Sequence, residues 1–203
     1  MTDPIVLLGV TTSALELLSF VLSVITVILN IRQIHWAWLF AILSSAMYAV
    51  VFYGARLYGD MGLQGVFIAV AVWGWYRWLY GGADKTALVV TRASATESAF
   101  CVAGWLAGFA VLALFLANYT NTDVPYSDGF LTAGSLVGQV LLSRKKVENW
   151  IVWIIVDVLY IWLYLYKDLT VTAILYAVFV VLASIGLYTW HRDPKMNAKA
   201  MLA

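Results

Sequence analysis

One segment, Glu148 to Tyr166, decides which class of fold this chain can adopt, because it is long and apolar enough to cross a lipid bilayer. About 20 residues of α-helix, at about 1.5 Å each, cover the hydrocarbon core. The segment is nevertheless not uniformly apolar. In a helix its polar and aromatic side chains share one face: Asn149, Trp150, Trp153, Asp157, Tyr160 and Tyr164.

Asp157 lies near the middle of this segment, where a carboxylate costs about 3 kcal/mol or more unless it faces a partner or a wet cavity. We therefore expect Asp157 to point inward. Two interpretations of its face stay open. The face packs against neighbouring helices, with Trp and Tyr side chains at interfacial depth, or it forms one wall of a substrate site.

The composition is that of an integral membrane protein. Hydrophobic residues make up 64% of the chain, charged residues 11%, and the mean hydropathy is +0.89, whereas about a quarter of the residues in soluble domains are charged. The formal charge of +1 provides no basic face for phosphates, so nucleic acid is not an expected partner. The lipid bilayer is the expected partner.

Hydropathy predicts seven spans and an all-α membrane protein, because apolar runs this long exclude the short alternating strands of a β-barrel. The predicted spans are 12–31, 36–54, 59–79, 98–117, 128–143, 148–166 and 170–190. The polar stretch between the third and fourth spans ends in Ser94, Thr96 and Glu97, a pattern that indicates a helix start.

The basic residues are distributed unequally between the two sides that these spans define. Arg56 and Lys167 fall on one side, and all the other Lys and Arg residues fall on the opposite side. By the positive-inside rule, the N-terminus is predicted to lie outside and the C-terminus in the cytoplasm.

A shift of 112 residues aligns the first three spans with the last three without a gap. Identical pairs include Arg32 with Arg144, Trp38 with Trp150, Tyr48 with Tyr160, Gly74 with Gly186 and Trp78 with Trp190. We count about fourteen identities in about fifty-six positions, where the apolar bias alone would give about five or six. The repeats are predicted to be parallel, as in some transporters whose sites lie near the midplane between the halves.

The resulting organisation is a three-helix repeat at 12–79, a cytoplasmic linker at 80–97, a linking helix at 98–117, a second three-helix repeat at 128–190 and a cytoplasmic tail at 191–203.

Differences between the halves indicate where an asymmetric ligand could bind. Asn149, Trp153 and Asp157 stand opposite Ala37, Ala41 and Ser45. In the first half, Gln64, Trp36 and Trp38 are the candidates, and Gln139 is a further one in the fifth span. For the two glutamines, a hydrogen bond between helices is an equally open interpretation. The candidate substrate-binding residues are Asn149, Trp150, Trp153, Asp157, Gln64, Trp36, Trp38, Tyr160 and Gln139.

Catalytic and metal-binding patterns are not found in the sequence. The single cysteine, Cys101, allows no disulfide within the chain, and no His, Asp or Glu cluster has ligand spacing. A membrane-embedded enzyme would need a nucleophile, metal ligands or paired carboxylates at one depth, and Asp157 has no evident partner of that kind. We therefore expect no enzyme activity, no metal and no cofactor. A seven-helix sensor or scaffold stays open as an alternative.

Three motifs resemble the bacterial PnuC family of nicotinamide riboside transporters. They are E-N-W-I-V-W at Glu148–Trp153, with Asp157 downstream, Y-G-D-M-G-L-Q at Tyr58–Gln64 and G-W-Y-R-W at Gly74–Trp78. The resemblance covers nearly the whole chain. It implies facilitated diffusion of vitamin B3 ribosides across the inner membrane for NAD biosynthesis, an architecture related to SWEET sugar transporters and a homotrimer. It also implies that Asn149, Trp150 and Trp153 contact the ligand.

The residues themselves suit nicotinamide riboside, which has a flat cationic ring, a carboxamide and ribose hydroxyls. Trp150 and Trp153 offer aromatic faces, at about 0.5–2 kcal/mol for a cation–π contact, and Asn149 and Gln64 offer amide partners. All Lys and Arg residues lie in or near loops, so the phosphorylated nucleotide is expected to be excluded. A cytosolic riboside kinase, which the resemblance implies, would then trap the imported riboside. A proton-coupled or sugar-type carrier is the alternative, because Asp157 is a lone buried carboxylate.

Overall fold

The structure, a computed structural model, describes residues 4–7, 10–54, 58–120, 122–166 and 170–193. Side chains are described at residues 18, 20–50, 53, 61–120, 122–166 and 173–193. The chain divides into two compact units, Met1–Leu88 and Val89–Ala203. Arg56, Lys167 and the tail beyond Asp193 lie outside the described residues, so the charge asymmetry stays a prediction.

The first unit begins with an antiparallel β-hairpin of strands β1 (Pro4–Leu7) and β2 (Val10–Ser13). The sequence analysis missed this hairpin, because its apolar residues merge with the first hydrophobic run. Val and Thr are β-branched residues that favour a strand. The span predicted from residue 12 therefore begins as a helix only at Ala14.

Three helices follow in the first unit: α1 (Ala14–Ile31), α2 (Ala37–Gly54) and α3 (Tyr58–Tyr80). Helix α2 packs against both α1 and α3. A hydrogen bond of 3.0 Å between the Ser23 and Ser44 hydroxyls links α1 to α2. A short 3-10 turn at Ala83–Lys85 comes after α3.

The second unit contains four helices, which pack in chain order, each against the next. They are α4 (Ala95–Tyr119), α5 (Pro125–Ser143), α6 (Asn149–Tyr166) and α7 (Thr170–His191). Across the described residues the seven helices lie within about three residues of the predicted spans. The expected all-helical fold is confirmed apart from the hairpin. The grouping into two repeats and a linking helix stays a prediction.

Helix α4 begins with the capping motif that its sequence predicts. The Ser94 hydroxyl accepts a hydrogen bond from the Glu97 amide at 3.1 Å, and the Glu97 carboxylate accepts one from the Ser94 amide at 2.9 Å. Two amides that a helix start leaves unpaired are thus satisfied. Helix α5 instead begins with Pro125 in its first turn, where no amide hydrogen is needed.

Each unit contains a tryptophan pair packed against a glycine. In the first unit, the Trp38 and Trp78 rings meet edge to face at 5.4 Å, and a Cβ at Gly74 would lie 2.5 Å from the Trp38 ring. Glycine is required there because the ring occupies the space of a side chain. The second unit has the same arrangement of Trp150, Trp190 and Gly186.

Three helices of the described chain are long and apolar enough to cross a membrane: Ala95–Tyr119, Asn149–Tyr166 and Ala173–His191. Within α4 only Ala113 is buried, and large side chains such as Phe100 and Val111 are exposed. A helix that is apolar on all sides and this exposed needs lipid or another protein around it. The chain is a multi-pass membrane protein.

Candidate substrate-binding site

The start of α6 is held in place by the segment that precedes α4. The Thr91 amide donates to the Lys145 carbonyl and the Val147 amide donates to the Thr91 carbonyl, both at 3.0 Å. The Ala93 amide donates to the Glu148 carboxylate at 2.8 Å. The first residue of the E-N-W-I-V-W motif therefore anchors the helix that carries the rest of the motif.

Asn149, the first residue of α6, has a fully buried side chain with 0% exposure. Its Nδ2 donates to the Lys146 carbonyl at 2.6 Å. Its Oδ1 has no hydrogen-bond partner among the described residues. A buried amide oxygen without a partner costs about 1–3 kcal/mol, so this atom is a candidate acceptor for a ligand.

Trp150 packs between α6 and α7 and is only 2% exposed. Its ring lies edge to face with Trp190 at 5.3 Å and fills the space beside Gly186. Its Nε1 has no partner among the described residues. The structure therefore places Trp150 in the helix packing, with one polar atom that a ligand could satisfy.

Trp153 lies one helical turn further along and contacts α5. A Cβ at Gly138 would lie 3.1 Å from the Trp153 ring, so the two helices meet closely at this point. Unlike Trp150, Trp153 is half-buried. Part of its indole is accessible to a ligand.

Asp157 is buried, with 6% exposure, and no ion pair reaches it from the described residues. The expectation that it points inward is therefore confirmed for the second unit. It interacts electrostatically with Tyr176 of α7. An uncompensated carboxylate at this depth requires either a proton or a cation.

Three tyrosines form a cluster next to Asp157. The Tyr160 ring lies 5.7 Å from Tyr164 and 4.9 Å from Tyr176, and Tyr164 lies 5.1 Å from Tyr176. From α5, Ser135 contributes a polar interaction with the Tyr160 hydroxyl. The interior of the second unit thus combines one carboxylate with several aromatic faces and hydroxyls.

Sequence reasoning missed Tyr176 and left Tyr164 outside the candidate site. A signal for Tyr176 existed, since it stands 112 residues after Gln64, which was selected. Tyr164 was on the predicted polar face. The cluster could therefore have been predicted by extending the selection in the first half to its counterparts in the second.

The remaining candidates lie elsewhere in the two units. Gln139 is half-buried on α5 of the second unit. In the first unit, Gln64 is half-buried on α3, Trp38 is buried at 1% exposure and Trp36 is 50% exposed. Trp36 contacts Trp75 edge to face at 5.6 Å. The structure thus gathers Trp150, Trp153, Asp157 and Tyr160 on one helix, whereas the first-unit candidates lie on α3 and at the start of α2.

Comparisons with known proteins agree with this picture. The chain is 28% identical over 191 residues to the riboflavin/roseoflavin transporter RibM of Streptomyces davaonensis, which covers 92% of this chain and 89% of that protein. It is 21% identical over 192 residues to the nicotinamide riboside transporter PnuC of Escherichia coli, which covers 81% of this chain and 79% of that protein.

Among solved structures, the crystal structure of the vitamin B3 transporter PnuC matches with a TM-score of 0.69 at 23% identity, covering 88% of this chain and 80% of that one. At this identity the match shows the fold. The resemblance to PnuC that the motifs carried is confirmed, and membership of a transporter family favours a carrier over an enzyme. Because the model of the nicotinamide mononucleotide transporter family matches residues 13–192, the chain belongs to that family.

Proposed function

We propose that this protein carries nicotinamide riboside across the membrane by facilitated diffusion and binds it along α6 of the second unit. The observation that carries the proposal is Asp157, a buried carboxylate to which the described residues offer no cation. The pyridinium ring of nicotinamide riboside is a flat cation and supplies that missing charge. Its arrival would offset the desolvation of the carboxylate.

The aromatic side chains support the same ligand. Tyr160, Tyr164 and Tyr176 stack or tilt against one another beside Asp157. A cation over such a ring gains about 0.5–2 kcal/mol, more where water is excluded. A flat cationic ring therefore finds both a counter-charge and aromatic faces in one place.

The polar atoms at the start of α6 support binding of the rest of the molecule. Asn149 Oδ1 can accept a hydrogen bond and Trp150 Nε1 can donate one, and both are buried without a partner among the described residues. Eight residues separate Asn149 from Asp157, about 12 Å along a helix. Trp153 lies midway. This arrangement suits an elongated ligand with a charged ring, which carries the carboxamide, at one end and ribose hydroxyls at the other.

The absence of deep basic residues favours the riboside over its phosphate. The Lys and Arg side chains that the structure describes belong to loops or helix ends, Arg77 in the last turn of α3 being one example. A phosphate in the interior would lack a cationic partner and meet Asp157. In the proposed scheme a cytosolic riboside kinase retains the imported vitamin.

Riboflavin is the second candidate substrate, favoured by the similarity to a riboflavin/roseoflavin transporter over 92% of the chain. Riboflavin shares the flat heterocycle and the chain of hydroxyls but carries no positive charge. If it is the substrate, Asp157 serves as a hydrogen-bond acceptor and not as a counter-charge. The two vitamins thus assign different roles to the same residue.

Uptake into proteoliposomes tests the proposal. We expect radiolabelled nicotinamide riboside to enter down its gradient, with no accumulation when a pH difference is imposed and no competition from nicotinamide mononucleotide. Uptake of riboflavin with no uptake of nicotinamide riboside would favour the second candidate. Accumulation that needs a proton gradient would favour a proton-coupled carrier.

The proposal also includes the location, the topology and the oligomeric state of the protein. Location in a bacterial inner membrane, an external N-terminus and a homotrimer follow from the charge pattern and the family resemblance. In a Cys101→Ala background, a cysteine placed near Asn121 should react with an impermeant thiol reagent from outside, and one near Lys85 should not.

A further inference from the structure

The second unit has an apolar groove on its outer surface between α4 and α5. Its volume is about 500 Å³. Its apolar lining includes Cys101, Gly104, Gly108, Val137 and Val140. The groove is separate from the face of α6 that carries the proposed substrate site.

The charged residues of the groove all lie at one end. Lys146 and Glu97 form an ion pair at 2.9 Å, and Arg144 is exposed beside them and interacts electrostatically with Glu97. Since the pair neutralises itself, the guanidinium of Arg144 is the charge of the groove lining that is left to meet a ligand. Glu148, which contributes no side chain to the lining, also acts electrostatically on Cys101.

The apolar part of the groove is as deep as one leaflet of a bilayer. On α4 the lining runs from Glu97 to Gly108, and on α5 from Arg144 back to Ala133. Eleven residues of helix span about 16 Å, roughly half of a hydrocarbon core of about 30 Å. An opening with a cationic end and an apolar depth of one leaflet matches the shape and polarity of a phospholipid.

We propose that this groove binds one anionic phospholipid, with its phosphate at Arg144 and an acyl chain along Gly104 and Gly108. Basic sites between membrane helices recognise anionic headgroups by this chemistry. Gly104 makes room for the chain, since a Cβ there would meet nothing within 4 Å. At Gly108 the groove ends against α5, because a Cβ there would lie only 3.3 Å from Ala133. The proposal does not depend on the identity of the transported substrate.

Native mass spectrometry of the full-length protein, delipidated in mild detergent and then mixed with a defined lipid, tests this site. We expect one phosphatidylglycerol per chain in the wild type, with weaker binding of phosphatidylcholine. Gly104→Leu fills open space and should remove the bound lipid without lowering the unfolding temperature. Arg144→Gln should reduce the preference for phosphatidylglycerol about fivefold. Arg192→Gln, an exposed arginine at the end of α7, is the matched control and should change neither value.

The single cysteine gives a second test that does not require a variant to fold. Alkylation of Cys101 with N-ethylmaleimide in the folded wild type should block the lipid, and bound phosphatidylglycerol should slow the alkylation. Unchanged lipid binding in Gly104→Leu together with unchanged binding after alkylation would refute the proposal. So would an altered number of chains per assembly in Gly104→Leu with its lipid retained, since that result would assign the groove to a second copy of the chain.

Discussion

The two units share their local packing and differ in their chemistry. At the end of α1, the Ile34 amide donates to the Leu29 carbonyl at 2.9 Å, and at the end of α5 the Lys146 amide donates to the Leu141 carbonyl at 3.0 Å. Each turn passes through a residue with positive φ, Gln33 at 55° and Lys145 at 49°. These are equivalent helix-ending turns at the predicted offset of 112 residues.

The same correspondence extends to the aromatic packing. Edge-to-face tryptophan pairs meet at 5.4 Å in the first unit and 5.3 Å in the second, each against a glycine. By contrast, Ser45 of the first unit corresponds to the buried Asp157 of the second, and Ala37 corresponds to Asn149. Backbone turns, ring packing and a buried indole nitrogen without a partner among the described residues, on Trp38 and Trp150, are thus common to both units, while Asp157 and Asn149 have no polar counterpart of the same kind in the first unit.

The largest expected effect concerns the glycines beneath the tryptophans. Gly186→Ala should cost about 3 kcal/mol of stability and Gly74→Ala about 2 kcal/mol, because overpacking displaces buried rings. Gly186 faces the fused-ring atoms Cδ2 and Cε2 of Trp150, which cannot swing aside, whereas Gly74 faces the outer edge of Trp38. Thermal and chemical unfolding in detergent measures both values.

Gly62→Ala and Gly104→Ala are the matched controls, since a Cβ at either position meets nothing within 4 Å. Gly74 and Gly186 should each tolerate alanine less well than these controls. If either of them tolerates alanine equally well, the packing that the two units share does not contribute to stability at that position.

The next prediction concerns the buried carboxylate that distinguishes the second unit from the first. Asp157→Asn should weaken binding of nicotinamide riboside by about 2 kcal/mol, because the cation loses its buried counter-charge. Downhill exchange in proteoliposomes should stay measurable, and neither version should accumulate the riboside under a pH difference. Ser45→Ala in the first unit should leave binding unchanged. Proton-driven accumulation that disappears in Asp157→Asn would refute facilitated diffusion.

How much of the fold and of the candidate site could be predicted from the sequence depends on how far apart in the chain the interacting residues lie. Helix ends follow from hydropathy and capping residues, and Ser94 with Glu97 gave the start of α4 because both partners lie within one turn. The hairpin before α1 was missed because its short apolar strands are continuous with a longer apolar run. Hydropathy alone carries no boundary between them.

The substrate site was harder to predict than the helices, because the role of a tryptophan depends on which neighbouring helix its ring faces. Trp150 and Trp153 are equally aromatic in the sequence, yet the first fills the space beside Gly186 and the second stays half-buried against Gly138. Tyr176 comes from another helix and enters the cluster only through tertiary packing. Such distinctions are fixed by contacts distant in sequence, which hydropathy does not report.

A smaller effect distinguishes two aromatic residues of α6. Trp153→Ala should weaken riboside binding by about 1.5 kcal/mol, since it removes an aromatic face and its cation–π contact. Trp162→Ala is the matched control, because Trp162 is 62% exposed on the same helix. Calorimetry measures both affinities. Equal losses in the two variants, or no loss in folded Trp153→Ala, would remove Trp153 from the site.

The smallest effect asks whether the first unit contributes to binding at all. Tyr176 and Gln64 occupy corresponding positions, one in the tyrosine cluster and one half-buried on α3. Tyr176→Phe removes a hydroxyl that interacts with Tyr164 and should weaken binding about fivefold, the equivalent of about 1 kcal/mol for one hydrogen bond. Gln64→Leu should weaken it only about threefold, the average for a polar contact between membrane helices. A loss for Tyr176→Phe with none for Gln64→Leu would confine the site to the second unit. The reverse order would show that the polar chemistry is shared, and would overturn the contrast on which the other predictions rest.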